Sequence, residues 1–289
     1  MPSINHISTN IVHGVLYIVP TPIGNFSDIT QRALIILKDV DLIAVENIYH
    51  THILLKNFNI NNHLILINQK NENKQTDKII KKLKLGKKIA LVSNAGTPVI
   101  NDPGFILIKS CHKNKIRVIP LPGACAAITA LSASGISSNR FCYEGFLPTK
   151  KIARCNLLRS LRKEIRTIIF YETPHRILKS VTDIIKEIGT ERNLVLVKEI
   201  SKYWEYIFSG TSYELLSWLQ QDINHCKGEM VLIIEGFQNL SNNVLTQEVY
   251  DTLYLIQKEI SLKKAVTLTS KIYKIKKNIL YNYAINHFK

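Results

Sequence analysis

Five short runs of almost entirely apolar residues constrain this chain more than any other feature of its sequence. They occur at regular intervals, each followed by a loop, at residues 15–19, 42–45, 64–67, 89–92 and 116–119. Amphipathic stretches separate them, as where Ala33, Leu37 and Val40 recur at helical spacing. Strands that are apolar along their whole length, alternating with such helices, predict a largely parallel sheet covered on both faces.

The second half of the chain mixes strands and helices less regularly. Strands are predicted at residues 141–147, 167–171, 194–197, 206–208 and 230–234, with a basic helix around 154–162 and a long helix opened by 172–176. The sequence therefore predicts two α/β domains, residues 1–122 and 123–237. A polar linker, 238–243, separates them from a basic helical region, 245–289.

Several helix boundaries are predicted from local signals. Asp28 followed by Gln31 resembles a capping box and predicts the start of the first helix. Residues 46–50 read as a polar loop before a short helix, and a charged helix is predicted from 76 to 85, closed by Gly86. The small residues 124–134 predict a helix directly after Gly123. The N-terminus of this helix would suit a carboxylate or phosphate, although close packing of the helix explains the same composition.

The loop after the fourth apolar run, within residues 91–104, is the strongest candidate for a binding site. It reads LVSNAGTPVINDPG and holds two glycines and two prolines. Gly96 and Gly104 would let the backbone approach a ligand, and Ser93, Thr97 and Asp102 would supply hydrogen bonds. Ligands of open α/β sheets bind at the carboxyl ends of strands, so we predict binding here. A tight surface turn that binds nothing is the alternative.

Charge and composition narrow the choice of partners and compartment. The chain has 38 Lys and Arg residues against 22 Asp and Glu residues, and the resulting net charge of +16 favours polyanionic partners. Composition offers an explanation for part of this excess, because Lys, Ile and Asn are frequent throughout, as in proteins from A/T-rich genomes. The five cysteines show no C-x-x-C spacing, and the pair His50 and His52 has no further ligand at metal-binding spacing, so neither disulfides nor a metal site is predicted. With neither a signal peptide nor a membrane span recognisable, a cytoplasmic location is expected.

The C-terminal region carries eight lysines against three carboxylates. Ser261 is a plausible N-cap for one short helix, and a second is predicted from about Lys276. Such a pair could form a small helix-turn-helix unit whose lysines hold RNA phosphates; the candidates are Lys263, Lys264, Lys276 and Lys277. A stabilising tail with a solvated lysine face is the alternative.

Read together, six ordered motifs resemble the tetrapyrrole-methylase superfamily. They are residues 19–25 with 28–30, 93–104, 120–123, 140–148, 170–172 with 175–176, and 227–231. The resemblance implies two α/β domains with S-adenosyl-L-methionine in the cleft between them, usually in a homodimer. It further implies the branch that methylates the ribose 2′-hydroxyl of a cytidine in the decoding region of 16S ribosomal RNA, on the small ribosomal subunit.

The resemblance also implies roles for individual residues. A poor nucleophile such as a ribose hydroxyl benefits from a general base, for which Glu46 and Asp102 are the candidates; either could instead be structural. Tyr49 and His50 are candidates for RNA contact, Tyr49 by stacking on a splayed base. The implied cofactor contacts are Pro22, Ile23, Gly24, Ser93, Asn94, Ala95, Gly96, Thr97, Pro98, Gly123, Ala124, Ala126, Gly228 and Glu229.

Two loops depart from the family pattern. Glu46-Asn-Ile-Tyr-His-Thr51 stands where Glu-Asp-Thr-Arg-His-Thr is usual, and Asn94 stands where Asp is usual. Tyrosine cannot replace the bidentate grip of arginine on a phosphate. These departures leave open a non-catalytic RNA-binding ribosome-assembly protein. A C-methyltransferase of corrinoid or porphyrin precursors is a second alternative, because the same fold serves it, although the basic tail and the charge of +16 speak against it. A Rossmann dehydrogenase is disfavoured, because no G-x-G-x-x-G follows the first strand.

Overall fold

The computed structural model describes residues 14–238, 247–273 and 275–287. The chain divides into two compact units, Met1–Gly236 and Phe237–Lys289. The first unit contains two five-stranded sheets, and the second consists of helices in its described part. The predicted linker at 238–243 lies, apart from Gln238, outside the described residues.

The first sheet is wholly parallel, as the apolar runs predict. Its strands are β1 (Val15–Ile18), β2 (Leu42–Val45), β3 (Leu64–Leu66), β4 (Lys88–Val92) and β5 (Arg117–Pro120), in the order β3-β2-β4-β1-β5. Every pairing between neighbours is parallel. All five carboxyl ends therefore lie along one edge, where the connecting loops begin.

Helices cover both faces of this sheet: α1 (Gln31–Asp39), α2 (Ile48–Asn57), α3 (Glu72–Lys84) and α4 (Phe105–Lys113). Alternate residues of β4 divide between two buried clusters. Ile89 and Leu91 pack with residues of α3 and α4, whereas Ala90 and Val92 pack with residues of α1 and α2. This two-sided burial is why the strand is apolar at every position after Lys88.

Four predicted boundaries were wrong. Asp28 lies in a short 3-10 turn and accepts a hydrogen bond from Ser201, while Thr30 caps α1 by accepting a hydrogen bond from Ala33 N at 3.1 Å. Asn47 caps α2, so the helix already occupies 48–50 of the predicted loop. The charged helix begins at Glu72 rather than 76. The small-residue helix α5 (Ala126–Ala133) begins two residues after 124, because Cys125 is still extended.

The second sheet is mixed. Its strands are β6 (Phe141–Phe146), β7 (Thr167–Glu172), β8 (Asn193–Lys198), β9 (Tyr206–Thr211) and β10 (Met230–Ile234), in the order β6-β7-β10-β8-β9. Only β6 and β7 pair in parallel. Helices α6 (Lys151–Ser160), α7 (Ile177–Ile188) and α8 (Ser212–Gln221) contribute to the core on one face.

Helix α5 packs against the other face of the second sheet. Its residues Ala127, Ala130 and Leu131 join the buried cluster formed by Ile169, Val195, Val231 and Ile233. Small side chains let this helix approach the sheet closely. The predicted domain boundary between residues 122 and 123 would assign α5 to the second domain, and it stays a prediction.

The second unit contains three helices in its described part, not the two that were predicted. They are α9 (Gln247–Glu259), α10 (Leu262–Tyr273) and α11 (Lys277–His287). The prediction missed α9, although Val249, Leu253 and Ile256 have helical spacing and join the unit's apolar cluster. The predicted start of α10 after Ser261 is confirmed, since the Ser261 carbonyl accepts hydrogen bonds from Lys264 N and Ala265 N. Across the described ranges, no helix is long and apolar enough to cross a membrane.

A buried carboxylate, Glu72 on α3, fixes the start of α4. Its Oε1 accepts hydrogen bonds from Gly104 N at 2.9 Å and Ile106 N at 2.8 Å. We expect Glu72→Ala to lower the free energy of unfolding by about 3 kcal/mol, because it leaves two backbone donors without their ionised acceptor. Urea unfolding would measure this. Asp77→Ala removes an exposed carboxylate from the same helix and serves as the control; equal losses in both variants would contradict the role of Glu72.

Candidate functional site

A cavity of about 380 Å³ lies where edges of the two sheets face each other. One wall comes from residues that follow β1, β2, β4 and β5. The other wall comes from the ends of β6 and β7, from residues that follow β7 and β8, and from the start of β10. The start of β10 belongs to this edge because the strand runs antiparallel to its neighbours, placing Met230 opposite Glu172 and Lys198. The cavity thus collects the polar loops of both sheets.

Backbone hydrogen bonds hold the loop after β4 in a fixed shape. Gly96, at φ +79°, exchanges two hydrogen bonds with Thr21, of 2.9 and 3.0 Å, which tie this loop to the one after β1. Thr97 Oγ1 donates to the carbonyl of Ala124 at 2.9 Å, which ties it to the segment before α5. Buried Ser93 donates from within to the carbonyls of Ala95 and Gly96. Three segments of the cavity wall are therefore joined.

The same loop contains unusual backbone conformations. Val99 and Asn101 have positive φ angles of 77° and 69°. A β-branched residue is strained there, and such strain persists only where surrounding contacts impose it. The loop ends at Gly104, which is held by Glu72. These constraints position Asp102 on the cavity wall.

Asp102 and Glu46 place two carboxylates on the same cavity wall. Partial burial raises the pKa of Asp102 from its ordinary 3.8 to about 6, and the negative charge of Glu46 contributes to the rise. A hydrogen bond from Ser93 opposes it. Glu46 Oε2 accepts a hydrogen bond from Asn94 N at 3.3 Å, so it is held beside the same loop. A carboxyl group with a pKa near neutrality can accept or donate a proton at physiological pH.

The opposite wall is aromatic and apolar around one buried carboxylate. The ring of Tyr171 makes edge-to-face contacts with Tyr143 and Phe146, and its hydroxyl accepts a hydrogen bond from Ala127 N at 3.2 Å. Glu172, only 3% exposed, is neutralised by Arg176 at 2.6 Å and accepts from Ser180 Oγ at 2.6 Å. Because Arg176, Ser180 and Thr173 N occupy its oxygens, Glu172 is a structural carboxylate.

A three-residue charge cluster reaches the cavity through Glu229. Lys202 Nζ donates to Glu199 Oε1 at 3.0 Å and to Glu229 Oε2 at 2.9 Å, and Glu199 also accepts from Glu229 N. Gly228, at φ +91°, is needed here because a Cβ at this position would lie 2.5 Å from Glu199 Cγ. Gly228 therefore shapes the segment that presents Glu229 to the cavity.

Comparison with known proteins assigns this architecture. The family model of the Tetrapyrrole (Corrin/Porphyrin) Methylases matches residues 15–216, and that of the RsmI C-terminal HTH domain matches residues 243–287. A protein from Buchnera aphidicola subsp. Acyrthosiphon pisum named Ribosomal RNA small subunit methyltransferase I is 60% identical over 272 residues, which span 94% of this chain and 96% of the relative. Its namesake from Escherichia coli O157:H7 is 51% identical over 280 residues, spanning 97% and 98%.

The chain belongs to the ribosomal RNA small subunit methyltransferase I family, within the tetrapyrrole methylases. Solved structures of lower identity show the same fold. Diphthine synthase superposes with a TM-score of 0.58 at 14% identity, covering 77% of this chain and 90% of its own. Uroporphyrin-III C-methyl transferase from Thermus thermophilus, complexed with S-adenyl homocysteine, superposes with a TM-score of 0.54 at 12% identity, covering 77% and 97%.

In this methylase the predicted cofactor residues fall into two groups. Those that line the cavity, with Glu46 and Asp102, are Ile23, Asn94, Ala95, Gly96, Thr97, Ala126 and Glu229. Those that do not line it are Pro22, Gly24, Ser93, Pro98, Gly123, Ala124 and Gly228. The second group shapes the wall: a Cβ at Gly123, for example, would lie 2.4 Å from Pro20 Cβ. Ligand contacts of both groups stay predictions.

The site prediction omitted eleven residues that line the cavity: Ile100, Asn101, Cys125, Phe146, Tyr171, Glu172, Thr173, Pro174, Ile200, Met230 and Val231. A signal was present for several of them, because the motifs at 140–148, 170–172 and 227–231 include Phe146, Tyr171 and Met230. Their position on one wall depends on the strand order of the second sheet, which local sequence does not specify.

Tyr49 and His50, the predicted RNA contacts on α2, do not line the cavity. Tyr49 is 75% exposed on the first turn of α2, beside exposed His50. Asn47, which departs from the family's Asp, caps α2 by accepting a hydrogen bond from His50 N, as an Asp could. The four candidate lysines of the second unit are all exposed. In the described ranges, no group of three His, Cys, Asp or Glu residues could hold a metal ion.

The raised pKa of Asp102 predicts a specific dependence of stability on pH. Since its pKa in the folded chain exceeds that in the unfolded chain, ionised Asp102 disfavours the native state. We expect the free energy of unfolding of the wild type to fall, relative to Asp102→Asn, as the pH rises from about 4 through about 6. Carbon NMR titration of the Asp102 carboxyl group would give the midpoint directly. Glu46→Gln should lower that midpoint, and a wild-type midpoint near 4 would contradict the assignment.

Proposed function

We propose that this chain is an S-adenosyl-L-methionine-dependent methyltransferase that acts on the ribose 2′-hydroxyl of a cytidine in the decoding region of 16S ribosomal RNA. The observation that carries the proposal is the cavity between the two sheets, which combines apolar walls with Asp102 and Glu46. The names of the two relatives, which are 60% and 51% identical over nearly the whole chain, support ribosomal RNA as the substrate.

The residues of the cavity fit S-adenosyl-L-methionine. Its volume of about 380 Å³ lies within the range of small-molecule sites, roughly 300–1,000 Å³. Ile23, Ala126 and Val231 offer apolar surface to an adenine base, and the backbone of residues 94–97 offers polar groups. The carboxylates favour a positively charged ligand such as a sulfonium. A side chain at Gly96 would be strained, because the residue has a φ of +79° and an added Cβ would lie 3.3 Å from Ile23 Cγ2.

Bound S-adenosyl-L-methionine supplies an electrophilic methyl group. Asp102, with a pKa of about 6, is mostly ionised at pH 7 and would accept the proton of the ribose hydroxyl. Partial burial raises the pKa of that carboxyl group above its ordinary value, and the charge of Glu46 adds to the rise. The tied loops after β1 and β4 would hold cofactor and base in a fixed relation, on which methyl transfer chiefly depends.

A homodimer and a cytoplasmic location complete the proposal. The homodimer follows from the resemblance to tetrapyrrole methylases, and the cytoplasmic location from the use of cysteine. All five cysteines of the chain are free, which supports a reducing compartment. The RsmI C-terminal HTH domain match supports an RNA-gripping role for the lysines of the second unit.

The first test is transfer of labelled methyl to small ribosomal subunits that lack this modification. We expect the wild type to modify a cytidine 2′-oxygen at a rate that rises with pH through about 6. Asp102→Asn should reduce the rate by roughly 10²-fold or more, because it removes the base. Cofactor affinity, measured by calorimetry, should change far less, and Asp77→Asn on α3 should leave both unchanged.

Three outcomes would contradict different parts of this proposal. Full activity of Asp102→Asn would exclude it as the base. Cofactor and RNA binding without transfer to any subunit would favour the non-catalytic assembly protein. Methylation of a corrinoid or porphyrin precursor instead would favour the C-methyltransferase.

A second test addresses the cofactor cavity. Ala126→Leu would project a larger side chain from the start of α5 into the cavity and should weaken S-adenosyl-L-methionine binding roughly tenfold or more. Ala133→Leu makes the same change at an exposed position near the end of the helix and should bind normally. Isothermal titration calorimetry compares the two. Equal affinities would show that the cofactor binds elsewhere.

A further inference from the structure

A second concave surface adjoins the cofactor cavity. We call it the cationic groove; it has a volume of about 610 Å³ and is lined by Thr149, Lys151, Arg154, His175, Arg176, Leu178, Lys179, Thr182 and Asp183. One segment joins the two features, because residues 172–174 line the cavity and residues 175–176 line the groove. A polymer whose reacting unit occupies the cavity would therefore reach the groove with its neighbouring units.

Two buried or half-buried arginines form a rigid frame for the groove. Arg154, 4% exposed, donates from Nε and Nη2 to Asp183 Oδ2, at 2.8 and 2.6 Å, and from Nη1 to the carbonyls of Pro148 and Thr149. Arg176 donates to Glu172 and to the carbonyl of Leu147. Both side chains thereby fix the loop after β6 against α7 and the loop after β7, and their donors are largely used within the protein.

Lys151 and Lys179 supply charge that the frame does not neutralise. Both side chains are exposed, one on the first turn of α6 and the other on the first turn of α7. Among the described residues, neither forms an ion pair within 4.0 Å. The one carboxylate of the groove, Asp183, is already paired with Arg154. The groove therefore presents a net positive charge to solvent.

The N-termini of α6 and α7 add to the positive electrostatic potential of the groove. Lys150 and Arg176, the N-cap residues of α6 and α7, provide no side-chain cap for the first backbone N–H groups of their helices. Uncapped N–H groups and the helix dipole favour an anion at a helix N-terminus. Here two such ends supplement lysines on the same groove.

We infer that the cationic groove binds the phosphodiester backbone of RNA next to the nucleotide that is methylated. This inference rests on the proposed function, since every ribose within an RNA strand carries phosphates on its 3′ and 5′ oxygens. Lys151 and Lys179 contact the phosphates, and the arginine frame holds the groove in shape. The groove favours a charged backbone, because its exposed cations are the two lysines, whereas the donors of its arginines are largely used within the protein.

The test compares three full-length variants for binding to small ribosomal subunits that lack the methyl group. Lys151→Ala/Lys179→Ala should weaken binding by roughly tenfold or more at low salt. It should also flatten the dependence of the logarithm of the affinity on the logarithm of salt concentration by about 1.4 to 1.8, since each of two phosphate contacts contributes roughly 0.7 to 0.9. Lys151→Arg/Lys179→Arg should retain wild-type binding.

The matched control is Lys81→Ala/Lys82→Ala, which removes the same charge from exposed positions on α3. An equal loss of subunit binding in the control, or no loss in the groove variant, would overturn the inference. The proposed function would still stand if the wild type transferred methyl groups to the subunits. If the wild type binds subunits without methylating them, the proposed function fails, and the salt dependence still reports on the groove. If the wild type binds no subunits, both fail.

Discussion

The central position of β4 determines where the chemistry of this chain is located. The strand has a parallel neighbour on each side and helices on both faces, so its residues from Ile89 onward are buried and apolar. Polar groups cannot be accommodated along such a strand without partners. They are concentrated instead in the loop that leaves its carboxyl end, and the hydrogen bonds of Gly96 and Thr97 join this loop to its neighbours.

Residues 172–176 separate a cavity lined by carboxylates from a groove lined by cations. Residues 172–174 face a cavity that holds Glu46 and Asp102, whereas His175 and Arg176 face the cationic groove. The buried pair of Glu172 and Arg176 lies at the division. A cationic cofactor and a polyanionic substrate would thus meet complementary surfaces on either side of one loop. Burial of this pair is sustained by further hydrogen bonds from Ser180 and Thr173.

Sequence patterns predicted the first sheet well because its strands are buried on both sides, which leaves continuous apolar runs. They also identified the loop at 93–98 and three of the four carboxylates that line the cavity, Glu46, Asp102 and Glu229, but not Glu172. Helix starts were less accessible: α3 begins with a run of polar residues, and α1 and α2 follow the caps Thr30 and Asn47, which local sequence did not single out. The aromatic wall could not be predicted, because Phe146 and Tyr171 become neighbours only through pairing of β6 with β7.

The proximity of Glu46 to Asp102 has a consequence for what leaves the cavity. Two neighbouring carboxylates prefer a cationic occupant to a neutral one of the same shape, and the charge of Glu46 adds to the rise that burial produces in the pKa of Asp102. Donation of a methyl group converts a sulfonium into an uncharged thioether. The same pair of side chains that attracts the donor would therefore bind the uncharged product less strongly, so the transfer itself would favour exchange of product for fresh donor.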